Sequence, residues 1–204
     1  MKNGLVHGFG INDADYPVTS NSLIEGKWRQ VWICPFFSRW RAMISRCYSK
    51  SRISRFPSYK ACTVSAEWSR FSEFRSWMDS QEWHGYELDK DILCKGNKLY
   101  SPDKCVFIEP RLNRFIIDRG SDRGDYPIGV YWHKGANKFA SACRNPFHDK
   151  IEHLGYFSTA ENAHIAWRER KHKLSCAYAD LHKDPRIAEA LRKRYLTQAG
   201  DING

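Results

Sequence analysis

Residues 128–157 contain three short runs, IGVYWHK, NKFASACR and KIEHLGYF, in which side chains alternate with period two. That period is the pleat of a β-strand, and the Gly135-containing turn joins the first two runs as a hairpin. Ser158-Thr159-Ala160-Glu161 then offers a capping box, the sequence signature of a helix start. The helix behind it places Ala163, Ala166, Trp167, Leu174, Ala177 and Leu181 on one face. Three antiparallel strands have two faces and one helix covers only one of them, so the other is left bare. Alternation puts Phe139, Ser141 and Cys143 toward the helix and Lys138, Ala140, Ala142 and Arg144 on the bare face. Tyr131, His133, Ile151 and His153 join that bare face from the outer strands. A plain solvated sheet is the bland reading. The alanines between the polar groups favour close approach of a partner instead.

Charge narrows the choice of partner. The 204 residues carry 33 Lys and Arg against 23 Asp and Glu, a formal charge of +10. The excess is shared by both halves of the chain, which therefore attract an extended polyanion. A three-stranded sheet with Tyr, His, Lys and Arg on its outer face fits the DNA major groove. Tyr131, His133, Lys134, Lys138, Arg144, Lys150 and His153 are the candidate contacts to double-stranded DNA. No run of about 18 apolar residues is present, so nothing is expected to span a membrane. The first ten residues are too short and too polar for a signal peptide, and a reducing cytoplasm is the expected location. Seven cysteines without a CxxC pair read as small buried hydrophobes, with a zinc site as the alternative.

The segment DRGSDRGDYP reads as a linker between about 120 and about 80 residues. Residues 1–33 read as an extended arm. PFFSRWRAMISRCYS has apolar residues at 36, 37, 40, 43, 44 and 47, one helical face. Its other face and the following loop carry Arg39, Arg41, Arg46, Lys50, Arg52 and Arg55 with no acid among them, a phosphate-contacting pattern. AEWSRFSEFRSWMDSQ gives a second helix with Trp68, Phe71, Phe74, Trp77 and Met78 on its packing side. LDKDILCKGNKLYSPDKCVFI follows, a hairpin pattern with turns at Gly96-Asn97 and Ser101-Pro102 and a carboxylate, Asp89, on its first strand. EPRLNRFIID then supplies a short helix ending at Asp118.

Two resemblances rest on these motifs. GVYWHKGANKFASACRN…EHLGYFSTAENAHIAWRERKHKL resembles an AP2 domain, through its GV strand, KF-x-A-x-x-R strand, LG-x-F and T-x-E-x-A-x-x-A-W helix start. The family implies a β-sheet placed in the major groove. W-x-x-M-x-x-RCY…EW-x-x-F-x-x-F…LDKD…NKLYSP-x-x-CVFI…N, over residues 34–118, resembles the HNH-type homing endonucleases of tailed phages. The joint expectation is an α+β chain: an N-terminal arm at 1–33, a degenerate ββα-metal domain at 34–118, a linker at 119–127, an AP2 domain at 128–182 and a C-terminal helix and tail at 183–204. The implied catalytic set is Asp89, Lys90 and Asn113, with Asp89 and Asn113 holding a divalent cation (Mg²⁺ or Mn²⁺) and Asp91 as a further ligand. Lys90 stands where that chemistry needs a His base, and Lys104 where it needs the orienting Asn. A lysine of ordinary pKa is protonated at neutral pH and cannot accept a proton. His84 and Asp91 are the nearest substitutes for the base, and Asn97 is a turn residue that could coordinate metal. The readings are a metal-dependent DNA endonuclease in an infected cell's cytoplasm, a non-cutting DNA-binding protein that uses Lys90 and Lys104 on phosphates, and a protein-interaction role.

Overall fold

The structure, a computed structural model, describes residues 4–117 and 125–196. The chain is α+β and divides into two compact units, 1–108 and 109–204.

In the first unit the two predicted helical faces meet. Helix α1 spans Pro35–Tyr48 and buries Phe37, Trp40, Met43, Ile44 and Cys47. A short helix, α2, follows over Lys50–Arg55. Helix α3, Phe71–Asp79, buries Phe71, Phe74 and Met78. Trp40 donates its indole N–H to the Trp68 carbonyl at 2.8 Å, so its polar atom is satisfied inside the core.

The residues expected as an extended arm are built into this unit. Ile11 bridges to the backbone of Arg70. The Asp13 carboxylate accepts from the Ser72 amide at 2.9 Å and hydroxyl at 2.7 Å, so a residue far off in sequence caps α3. A Cβ on Gly10 would stand 2.6 Å from the Trp40 ring, which only glycine permits. Strands β1, Thr19–Ile24, and β2, Lys27–Ile33, then pair as an antiparallel ribbon turned at Glu25-Gly26. Both turn residues have positive φ, a primed turn, but Glu-Gly lacks the Asn-Gly or Asp-Gly signature that marks one in sequence.

The expected hairpin at 88–108 is reorganised. Strand β3, Thr63–Val64, pairs in parallel with β5, Leu99–Tyr100. Strand β4, Glu87–Asp89, pairs antiparallel with β6, Val106–Ile108, placing Asp89 opposite Val106. The strand after the Gly96-Asn97 turn therefore leaves β4 for a different partner.

The second unit opens with helix α4, Pro110–Ile116. An HNH-like domain extending to 118 would assign α4 to the first unit. Instead α4 buries Leu112, Phe115 and Ile116 in the second unit, where three side chains fasten it. Lys171 donates to the Phe115 carbonyl at 2.5 Å, Arg194 to the Ile116 carbonyl at 3.0 Å, and Tyr178 to the Glu109 carboxylate at 2.7 Å. Of the expected linker, residues 118–124, Asp118 included, lie outside the described residues.

The three alternating runs form β7, Val130–His133, β8, Lys138–Asn145, and β9, Lys150–Phe157, an antiparallel sheet in the order β7-β8-β9. Helix α5, Ala160–Leu181, covers one face. Gly129 is required at the sheet entrance, with φ of +82° and a Cβ that would stand 2.0 Å from the Trp167 ring. The N-cap of α5 is Thr159, one residue beyond the expected Ser158, and its hydroxyl accepts from the Asn162 amide at 3.2 Å. The buried side also departs from expectation: Ala163, Trp167 and Leu174 are buried, but Ala177 and Leu181 are exposed and Tyr178 and Ala179 replace them. The second half of α5 faces helix α6, Pro185–Lys193, and Ser175 donates to the Leu191 carbonyl at 2.7 Å. Residues 197–204 lie outside the described residues. Among the described residues no helix is long and apolar enough to cross a membrane.

Candidate nucleic-acid interface

Residues directly opposite in an antiparallel pair share a face. Tyr131 stands opposite Ala140, and Ala140 opposite Tyr156. His133 pairs with Lys138, Ala142 with His153 and Arg144 with Ile151. These residues make up the face turned away from α5, and none is a carboxylate. Tyr131, Lys138, Arg144, Ile151, His153 and Tyr156 are all exposed.

Tyr156 was not among the sequence candidates. Strict alternation from His153 would bring Gly155 and Phe157 outward. The register slips between Ser141 and Ala142, so β9 carries an extra residue and the parity reverses beyond it. Gly155, at φ +128°, takes the backbone shape the bulge needs. Tyr156 then lies between two imidazoles, 5.0 Å from His133 and 4.7 Å from His153. Ala140, expected as an open position, is fully buried opposite the two tyrosines. A glycine within a strand was the available signal for this bulge.

The other predicted contacts fall in three places. His133 accepts the Ala136 amide on Nδ1 at 3.0 Å, which bends the β7–β8 turn and leaves the ring proton on Nε2. Lys134 is exposed in that turn. Lys150 pairs with Asn145, on the alternation that faces α5, and so is not part of the outer face. Glu152, opposite Cys143 on the same side as Asn145, receives Arg170 at 2.6 and 3.0 Å and Asn145 at 2.8 Å. Hydrogen bonding to Arg170, then to Asn145, holds its carboxyl down at about 2.

In the first unit Arg41, Lys50, Arg52 and Arg55 are exposed and Arg39 is half-buried. Arg46 departs from the expected phosphate-contacting row. Its guanidinium lies 6.0 Å from the Tyr59 ring and beside Tyr100, so it is committed to packing.

The loop after Asp89 turns its polar groups on one another. Asp89 Oδ1 accepts the amides of Asp91 at 2.8 Å and Ile92 at 2.6 Å, a turn held by its own carboxylate. Asp91 is thereby carried off the strand on which it was expected beside Asp89. Lys90 is buried, and its ammonium donates to Asp91 Oδ2 and the Asn97 carbonyl, both at 2.7 Å. The Asn97 amide returns across the loop to the carbonyls of Lys90 at 2.8 Å and Leu99 at 2.7 Å. Bracing the residue after Asp89 is what the resemblance asked of the Lys104 position. Asn97 does it instead, and Lys104 lies in the turn before β6, its amide on the Ser101 carbonyl. His84 is exposed and stacks on Trp83 at 3.7 Å.

Asp89 lies in the first compact unit and Asn113 in the second. Among the described residues no three or more His, Cys, Asp and Glu side chains gather to hold a metal ion. Asp89 Oδ1 is taken up by its turn and Asp91 Oδ2 by Lys90. Burial pushes the thiols of Cys47 and Cys105 up to about 12, so both stay protonated as small buried hydrophobes.

No family model, no curated protein and no solved structure matches this chain.

Proposed function

We propose that this chain binds double-stranded DNA through the outer face of the β7-β8-β9 sheet, with the major groove as the surface read. The observation that carries the reading is the face itself: a carboxylate-free sheet surface with exposed Tyr131, Tyr156, Lys138, Arg144 and His153, on a chain of charge +10. A sheet of this width enters the major groove, and Tyr, His, Lys and Arg offer donors and flat surfaces to base edges and phosphates. Arg41, Lys50, Arg52 and Arg55 supply sequence-independent attraction from the first unit. The AP2 resemblance of residues 128–182 points to the same use of the sheet. A selection from a random duplex pool tests it. The wild type enriches a defined motif, and a Tyr131→Ala/Tyr156→Ala double variant loses that enrichment. Failure of the wild type to retain any duplex at about 50 mM salt, where phosphate contacts are strong, overturns the reading.

Metal-dependent cutting is the second reading, favoured by one observation. Asp89 ends a strand paired antiparallel with β6, and the Asn97 side chain braces the residue after it, as an HNH-type site requires. Lys90 weighs against it, since its buried ammonium is tied to Asp91 and Asn97. Cutting requires the Asp89 carboxylate to take a divalent cation. Nicking of a bound duplex with Mg²⁺ or Mn²⁺, abolished by Asp89→Ala while binding persists, would establish this reading. Its absence on a bound substrate leaves a binding protein.

A further inference from the structure

A cleft of about 790 Å³ opens beside the sheet in the second unit, and its charged lining is lopsided: Arg111, Arg114, Arg144 and Lys171 against Asp149. The two α4 arginines are three residues apart and therefore share one side of that helix. Both are exposed, and among the described residues neither pairs with a carboxylate. Arg144 stands in the same cleft while belonging to the outer sheet face, where its guanidinium is steadied by the Asp149 carbonyl at 2.9 Å and carboxylate at 3.1 Å. Beneath them Lys171 is buried, with its ammonium on the Phe115 carbonyl and 3.7 Å from the Phe115 ring. The wall carrying Arg111 and Arg114 is fixed to the sheet module by the bonds from Lys171, Arg194 and Tyr178 to α4 and Glu109.

From this arrangement we infer that Arg111 and Arg114 of α4, continuing from Arg144, bind backbone phosphates of the duplex lying on the sheet. The inference rests on the sheet-face reading and extends it to a residue pair outside the sheet. Two exposed guanidiniums on one side of a fastened helix suit phosphate, whose oxygens accept paired N–H donors. Such contacts carry no sequence information but fix the register of the reader on its groove.

The test measures affinity for one duplex at a series of salt concentrations, using the full chain. Three proteins are compared: wild type, Arg111→Gln/Arg114→Gln, and a charge-matched control, Lys173→Gln/Lys183→Gln, which removes two exposed lysines outside the cleft lining. Each phosphate contact contributes about 0.9 to the slope of log affinity against log salt, so the arginine double variant should lose nearly two units of slope. Its preferred sequence and melting temperature should stay as in the wild type, while the control loses less than one unit. Equal slopes for wild type and arginine variant overturn the proposal, and so does an equal loss in the lysine control, which would mean bulk charge. Wild-type protein that retains no duplex at low salt overturns the sheet reading and this contact together. Binding with an unchanged slope in the arginine variant removes this contact alone.

Discussion

The loop at 89–97 and the outer face of the β7-β8-β9 sheet hold similar side chains and put them to opposite uses. In the loop every functional-looking group has a partner within the loop: Asp89 on two amides, Lys90 on Asp91 and Asn97, Asn97 on Lys90 and Leu99. On the sheet Tyr131, Lys138, His153 and Tyr156 stand exposed, while Glu152, Arg170 and Asn145 bond one another on the opposite side. Groups already satisfied internally stabilise a fold. Exposed groups on a rigid support are available to a ligand. Stability should therefore respond to changes in the loop, and DNA affinity to changes on the sheet.

The largest effect that could break this contrast is Asn97→Ala. It removes three hydrogen bonds and strands the carbonyls of Lys90 and Leu99, costing about 3 kcal/mol of first-unit stability. Denaturant melts should show this loss while duplex affinity stays within about twofold, below 1 kcal/mol. Acid provides the next test. The Glu152 carboxyl sits at about 2 against an ordinary 4.5. A depressed folded-state value means the stabilisation is complete above 4.5 and fades as pH falls toward 2. Glu152→Gln should flatten that part of the second unit's stability profile, and an unchanged profile would remove the Glu152–Arg170 pair from the account.

Tyr156→Ala should weaken duplex binding about tenfold, near 1.4 kcal/mol, with little change in melting. A fall in melting temperature without loss of affinity would make Tyr156 a packing residue. Lys90→Met is the smallest expected effect on duplex affinity, within about twofold, although losing the bonds to the Asn97 carbonyl and the Asp91 carboxylate should cost about 1–3 kcal/mol of first-unit stability. Loss of duplex affinity in Lys90→Met would return that residue to a direct phosphate role.

Periodicity carried the sheet, its helix and the α1–α3 packing, because apolar spacing alone decides which side is buried at Trp40, Phe74 or Cys143. It could not carry the bulge at Leu154-Gly155, since one added residue reverses every later position and hides Tyr156 from a strict alternation. Nor could it show that α4 is fastened by Lys171, Tyr178 and Arg194, residues about 56 to 78 positions away. Asn97 read as a turn former from its Gly96 neighbour. Its cross-loop bonds depend on Lys90 being buried, which a charged residue seldom signals.

The most direct test follows backbone and side-chain NMR signals of the full chain as a duplex is titrated in at low salt. The account predicts shifts concentrated at Tyr131, Lys138, Arg144, His153 and Tyr156, with the signals of Lys90 and Asn97 unmoved. Shifts confined to residues 89–97, with the sheet silent, would contradict it.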